Sequence, residues 1–371
     1  MNADLYQRIS ATRSLLLMVG LWPYYQSKFT QIQRLLIFSI LSSFIAFQFT
    51  TVVTAECTPY FMIKLFSSVL IFIVCLLMYS SFWFHISNVK YILEKIQYIC
   101  YYLKDENEIS IINKYASSAE RNSTRIILVG IIFLVLVHPM WPHLLERFLL
   151  INDTTSYRTM LIATEYFIDQ EKYLYFIMLH MYAACCICVI STAGTGTIFV
   201  ICFKHACGML QIASYRIRLA MQTDNRQKIK QSCQFINQRI TMYKGILFAI
   251  DIHRETLNFC EFISSAFKFT ICFSAILGVI CLSFNMFQVF QVVTFGGKVE
   301  EFFLHLACII PILVYMFIIN YLGQEITDHN DNVFLSTYNV CWYIAPLSIQ
   351  KLILLLLQRG NKPYTLSAAG L

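Results

Sequence analysis

Long uncharged apolar stretches alternate with charged ones along the chain. The apolar stretches cover residues 35–55, 65–89, 126–145, 173–203, 269–297 and 302–324. Each supplies the roughly 20 apolar residues that a helix needs to cross a bilayer, so the pattern predicts six transmembrane helices. The stretch 173–203 is longer than a crossing requires. As one helix it would rise about 46 Å against an apolar core of about 30 Å, so the fourth helix is expected to continue beyond the membrane.

Two of the polar segments between these stretches keep a helical stripe. In 204–262, Ile229, Cys233, Ile236, Ile240, Tyr243 and Ile246 recur at three- and four-residue spacing, the period of an amphipathic helix. In 90–124, Ile92, Ile96, Ile99, Tyr102 and Leu103 do the same. Both segments read as helical extensions of the flanking spans, forming a domain below the membrane.

Composition sharpens this into a class. Of 371 residues, 58% are hydrophobic and 13% charged, against roughly 25% charged in soluble domains. The fold class is therefore an all-α integral membrane protein. A secretory leader is the weaker reading of "SLLLMVGL" (14–21), because the apolar run is short, no small-residue cleavage site follows, and "WPYY" comes next. It reads as an amphipathic segment abutting the membrane.

Charge fixes the orientation. Lys and Arg number four before residue 35, six in 90–125 and nine in 204–254, but none in the first opposite loop, three in the next and one in the last. Positive charge concentrates on the cytosolic side, so the N-terminus is cytosolic, the inverse of a G-protein-coupled receptor. The sequons at Asn122 and Asn152 lie on opposite sides of one span. The charge count places Asn152 outside, as the glycosylation candidate.

Catalytic and metal chemistry find little support. The chain has 14 Cys, mostly in apolar or cytosolic runs, and only Cys57 falls in an external loop, which leaves no external disulfide partner. Cys185, Cys186 and Cys188 lie in mid-span without His or acid neighbours, as core residues do. "GTG" at 194–196 lacks a strand–turn–helix setting, and "HRET" at His253 lacks the second His of a zinc hydrolase. The spans carry almost no charge, which disfavours a transporter. Lys64 and Lys268 sit at stretch ends where they can snorkel, and His138, His180 and His305 read as hydrogen-bonded helix residues. No enzyme, cofactor or nucleic-acid function is expected.

Four stretches carry a resemblance to the insect odorant receptors, in their odorant-specific branch rather than the co-receptor. "GLWPYY" resembles the motif ahead of the first span. "DIHRETLNFCEFI", with His253, Leu257 and Phe259, resembles the approach to the fifth. "STYNVCWYIAP" carries Tyr338, Trp342, Tyr343 and Pro346, and "LLLLQRGNKPYTLSAAGL" carries Arg359, Lys362, Pro363 and Gly370. Asn330 departs from the pattern, which usually has Ser there. A gustatory receptor of the same superfamily is the nearest alternative, and "WYIAP" favours the odorant branch.

The resemblance implies an odorant-binding subunit of a ligand-gated, non-selective cation channel in the plasma membrane of a sensory neuron dendrite. Its partners would be a small, volatile, apolar ligand, the odorant receptor co-receptor in a hetero-tetramer, and the lipid bilayer, with no G protein. It implies a cytosolic N-terminal segment (1–34), a six-helix region with cytosolic extensions (35–326) and an anchor-type C-terminal helix (327–371). His253, Phe259, Tyr338, Trp342, Tyr343 and Pro346 would serve subunit contacts in the anchor. An odorant pocket is expected in the outer half of the membrane between the second, third, fourth and sixth helices. There, helical spacing selects Phe66, Val69, Leu70 and Ile73, then Leu134, His138 and Trp141, then Tyr175, Met178 and Tyr182, and finally Phe303 and Leu306.

The Leu-rich stretch 340–358 is ambiguous as a span. Its Val, Ile and Leu residues favour insertion by roughly 3 to 6 kcal/mol, whereas Lys351 alone costs about 2.5 to 3.5 if centred. By resemblance it is the cytosolic half of a seventh helix that packs in the anchor, with a pore-lining half expected after residue 371; a non-conducting product is the corresponding alternative.

Overall fold

The computed structural model describes residues 9–137, 164–222, 232–296 and 299–360. Among these the chain is helical, with no strand. The helices are α1 (Ser10–Met18), α2 (Lys28–Phe49), α3 (Thr51–Thr54), α4 (Pro59–Phe84), α5 (Ile86–Tyr102), α6 (Glu106–Val137), α7 (Gln170–Gln222), α8 (Ser232–Ala266), α9 (Lys268–Phe295), α10 (Val299–Tyr338) and α11 (Leu347–Gly360). Five helices are long and apolar enough to cross a membrane: α2 with α3, α4, α7, α9 and α10. The sixth expected span begins in α6 and extends beyond the described residues at Val137.

The helix starts follow local chemistry. Ser27 and Thr58 cap α2 and α4, their hydroxyls accepting the amides of Thr30 and Phe61, and Pro59 occupies the first turn of α4, where a missing N–H is harmless. Helix α9 ends at Gly296 with a φ of 74°, a left-handed C-terminal cap that glycine adopts without penalty.

α7 is the mast of the fold, with 53 residues in one helix, or about 80 Å. Its upper part packs in the apolar layer, and its lower part, beyond Lys204, packs against α6 and α8. The buried face of α8 runs Met242, Ile246, Ala249, His253, Thr256, Cys260 and Ile263, an unbroken alternation of three- and four-residue steps. Ile246 is on this face as the spacing predicts, but Ile240 and Tyr243 are exposed. The stripe is offset by one residue: Met242 is buried in place of Tyr243, and a phenol tolerates solvent better than a thioether. In α5, Ile92 and Ile96 are buried and Tyr102 is exposed.

The N-terminal segment folds back onto this framework. Leu16, Leu21 and Trp22 are buried, and Leu16 rests over Gly194 of α7, where a side chain would come within 3.1 Å of it. A turn at Gly20, with a φ of 69°, presents carbonyls inward. The Arg34 guanidinium donates to Gly20 O (2.6 Å) and the Tyr79 hydroxyl to Val19 O (3.1 Å).

Polar side chains tie the outer ends of the helices together. Lys64 does not merely snorkel: its ammonium lies 2.7 Å from the Glu301 carboxylate, with both side chains about one-fifth exposed. One turn further in, Asn285 donates to Ser67 O (3.0 Å) and its carbonyl faces His305 Nδ1 (3.0 Å). His180 bridges Ser43 (3.1 Å) and Tyr166 (2.7 Å). These contacts use the membrane's low dielectric to hold α4, α9 and α10, and α2 and α7, in register.

Candidate functional site: an intramembrane cavity

Five long helices, with Ser264 at the end of α8, leave a cavity of about 550 Å³ between them, within the range of small-molecule sites. Each contributes one face at helical spacing: Leu70, Val74 and Met78 from α4; Ile126, Gly130 and Phe133 from α6; Val189, Thr192, Gly196 and Phe199 from α7; Ile271, Ser274, Gly278 and Cys281 from α9; Cys308, Ile312, Tyr315 and Ile319 from α10. The surface is overwhelmingly apolar and suits an apolar guest.

Two features of the sequence make the room. Gly130 lets α6 approach α7 so closely that a Cβ there would lie 2.8 Å from Val189 Cγ1. Gly196, one wall further along, would project a Cβ into open space, with nothing within 4 Å. Pro311 lies within α10 and lines the cavity. A proline in a helix interior leaves a backbone carbonyl without its N–H partner.

The polar groups in the cavity are few. Thr192 Oγ donates to Cys188 O (2.8 Å), and Ser274 Oγ donates to Ile271 O (3.1 Å) and lies 3.3 Å from the Tyr315 hydroxyl. At the cytosolic end, Asn320, Gln324 and Thr327 join the lining.

A buried ionic cluster stands beside that end. Lys204 Nζ meets both Glu325 carboxylate oxygens at 2.7 and 2.6 Å and sits 5.2 Å from the Tyr321 ring centre. His329 Nδ1 donates to Glu325 O (2.7 Å), which leaves Nε2 to accept the Tyr115 hydroxyl at 2.5 Å; burial pushes that phenol up to about 12. Cys207 brings a thiol close enough that a sulfur, a carboxylate oxygen and an imidazole nitrogen fall within 4.8 Å of one another. The trio has metal-ligand chemistry, but Lys204 already neutralises the carboxylate and Tyr115 occupies the imidazole. It reads as a structural crosslink of α6, α7 and α10. Lower down, Arg216 pairs bidentately with Glu108, and His253 Nε2 donates to Asn330 Oδ1 at 2.9 Å.

Of the lining residues expected from the sequence, Leu70 lines this cavity. Val69 is buried beside it, and Phe66, Ile73, Leu134, Met178, Tyr182 and Leu306 are half-buried. Phe66 packs against Phe49 and Phe284. Tyr175 and Phe303 are exposed, 53% and 44%. His138 and Trp141, like Asn152, lie outside the described residues. The cavity therefore sits about one turn (on α4) to about four turns (on α7) deeper than the outer-half expectation, and it takes a wall from α9 that the expected pocket did not include. The sequence predicts α9 only as an apolar span, yet its small and polar residues Ser274, Gly278, Cys281, Asn285 and Gln288 recur at three- and four-residue steps and form its buried face; that stripe was the available signal. Of the residues expected to make subunit contacts, His253 and Phe259 are buried, Pro346 is half-buried, and Tyr338, Trp342 and Tyr343 are exposed.

Comparison with known proteins adds three findings. Residues 58–371 match the family model described as 7tm odorant receptor. A Drosophila melanogaster protein that carries the name odorant receptor 85d is 22% identical over 116 residues, 31% of this chain and 27% of that relative's length. Among solved structures, olfactory receptor OR5 of the insect Machilis hrabei in complex with eugenol superposes with a TM-score of 0.77 at 13% identity, covering 98% of this chain and 93% of that one. Another structure of the same receptor gives 0.70 at 14% identity over 97% and 90%.

Proposed function

The chain belongs to the 7tm odorant receptor family, and on that premise we propose that it is an odorant-specific receptor subunit whose ligand sits in the α4–α6–α7–α9–α10 cavity. It is a multi-pass membrane receptor rather than an enzyme, and in this reading it works in the plasma membrane of a sensory dendrite. It assembles with the co-receptor into a hetero-tetrameric, odorant-gated, non-selective cation channel. The cavity is the observation that carries the reading: about 550 Å³, apolar and walled by five helices, it fits a small volatile molecule. The fold-level neighbour was solved in complex with eugenol, a ligand of that size and character.

The exposed aromatics support the assembly. Tyr338, Trp342 and Tyr343, with Ile344, Leu347, Leu354 and Leu355, expose an apolar face across the end of α10 and α11. These residues lie on the side that the charge count assigns to the cytosol, where bilayer lipid does not cover them, so a neighbouring subunit is the natural cover. Here 1–34 is a cytosolic lead-in, 35–326 the receptor body and 327–371 part of the anchor. The outer-half residues Phe66, Met178, Tyr182 and Leu306 precede the lining of their helices on the outer side, on the ligand's path from outside, and Ile73 lies level with the lining between Leu70 and Val74.

The test is whole-cell current from cells expressing this chain with the co-receptor, presented with a broad volatile panel. Ligand-evoked cation current absent from cells with the co-receptor alone supports the reading. Current indistinguishable from that background across the panel overturns it.

A further inference from the structure

The three hydroxyls in the membrane-embedded part of the cavity have their protons committed. Thr192 Oγ points its proton at Cys188 O (2.8 Å) or Val189 O (3.2 Å). Ser274, 2% exposed, gives its proton to Ile271 O at 3.1 Å, since a helix carbonyl is a better acceptor than a phenol. Ser274 Oγ then has only lone pairs for the Tyr315 hydroxyl 3.3 Å away, so Tyr315 is the donor of that bond. What remains for a guest is the lone pairs of Tyr315 Oη and Thr192 Oγ. Other side-chain donors of the lining stand at the cytosolic mouth: half-buried Ser264 at the end of α8, and exposed Asn320 and Gln324, whose amides donate to Met316 O (2.9 Å) and to Asp328 Oδ1 (2.8 Å).

We propose that the cavity selects ligands bearing one hydrogen-bond donor, alcohols and phenols, over ethers and ketones of equal size, and that Tyr315, oriented by Ser274, is the residue that reads the donor. The inference rests on the cavity being the odorant site. A hydroxyl-bearing guest donates to Tyr315 Oη and leaves no buried polar atom unpaired. A ketone or ether presents an acceptor to acceptors, so its oxygen loses water and gains nothing. A buried neutral hydrogen bond is worth roughly threefold to tenfold in affinity.

The experiment compares 1-octanol, 2-octanone and heptyl methyl ether, which have equal heavy-atom counts, in saturation binding to the detergent-solubilised full chain. Wild type should favour octanol roughly threefold to tenfold. Tyr315→Phe removes the acceptor that Ser274 orients, leaving only Thr192 Oγ, and should shrink the preference by weakening octanol alone. Ser274→Ala frees the Tyr315 proton for the guest and should shift preference toward the ketone, which a merely structural role would not do. Equal wild-type affinities, or an octanol preference that survives Tyr315→Phe undiminished, overturn the inference. Gly196→Leu, which fills the cavity, separates this from the wider reading. If it abolishes binding of all three while no preference exists, only the donor selectivity fails; if binding persists unchanged, the cavity is not the site.

Discussion

Lys204 of α7 and Glu325 of α10 form an ion pair of 2.6 Å whose side chains are 3% and 14% exposed, beside the cytosolic end of the cavity. Removing one partner strands the other charge where water barely reaches. Lys204→Met or Glu325→Gln alone should destabilise the protein by roughly 3 to 5 kcal/mol, whereas Lys204→Met with Glu325→Leu should recover most of that loss. Thermal unfolding of the solubilised protein reads both; a double variant as unstable as either single one would show that the pair is not the relevant unit.

His253 of α8 predicts a pH dependence. Burial lowers its pKa below the ordinary 6.5, Asn330 opposes that shift, and the Arg359 charge on α11 reinforces it. The unfolded chain therefore binds a proton near pH 6.5 that the folded chain refuses. Stability is complete above that value and falls as the pH drops through it toward the lower folded value. Melting temperatures between about pH 7.5 and about pH 5.5 should fall more steeply for wild type than for His253→Gln, whose amide can still donate to Asn330 and does not titrate. Equal slopes would place the titration elsewhere.

Close approach of α6 to α7 depends on Gly130. A methyl there would lie 2.8 Å from Val189 Cγ1, so Gly130→Ala should destabilise by roughly 1 to 3 kcal/mol through overpacking. Val189→Ala in the same chain should restore the melting temperature. Failure of that rescue would place the conflict on another neighbour.

How much of this was legible in the sequence differs from element to element. Charge-free runs revealed the long helices, because a bilayer crossing imposes both length and composition; α2, α4, α7, α9 and α10 all start or end within a few residues of a charge. The motifs around His253 and "WYIAP" pointed to the family that residues 58–371 match. Depth was not legible. The walls of the cavity are set by where Gly130, Gly196 and Gly278 let helices approach or part, and the small and polar stripe of α9, Ser274, Gly278, Cys281, Asn285 and Gln288, marks an inward face without saying at what depth a cavity opens along it. Nor could spacing reveal that Lys64 meets Glu301 across 237 positions, or that Asn330, which departs from the family pattern, accepts the His253 hydrogen bond.

The aromatic face formed by Tyr338, Trp342 and Tyr343 predicts an assembly defect without a folding defect. Trp342→Ala with Tyr343→Ala should reduce co-purification of the co-receptor several-fold, as expected for interface aromatics, while the melting temperature of the isolated subunit changes little because both side chains are exposed. Undiminished co-purification would remove this face from the interface.

Gly196 offers the most direct test of the cavity as the odorant site. Its missing side chain borders open space, so Gly196→Leu adds bulk to the cavity without forcing the backbone and even favours the helix. Saturation binding of an agonist volatile to the solubilised wild-type and Gly196→Leu chains, at matched melting temperature, should show affinity reduced at least tenfold in the variant. Equal affinity in the two chains would contradict the account, because the ligand would then be sitting somewhere else.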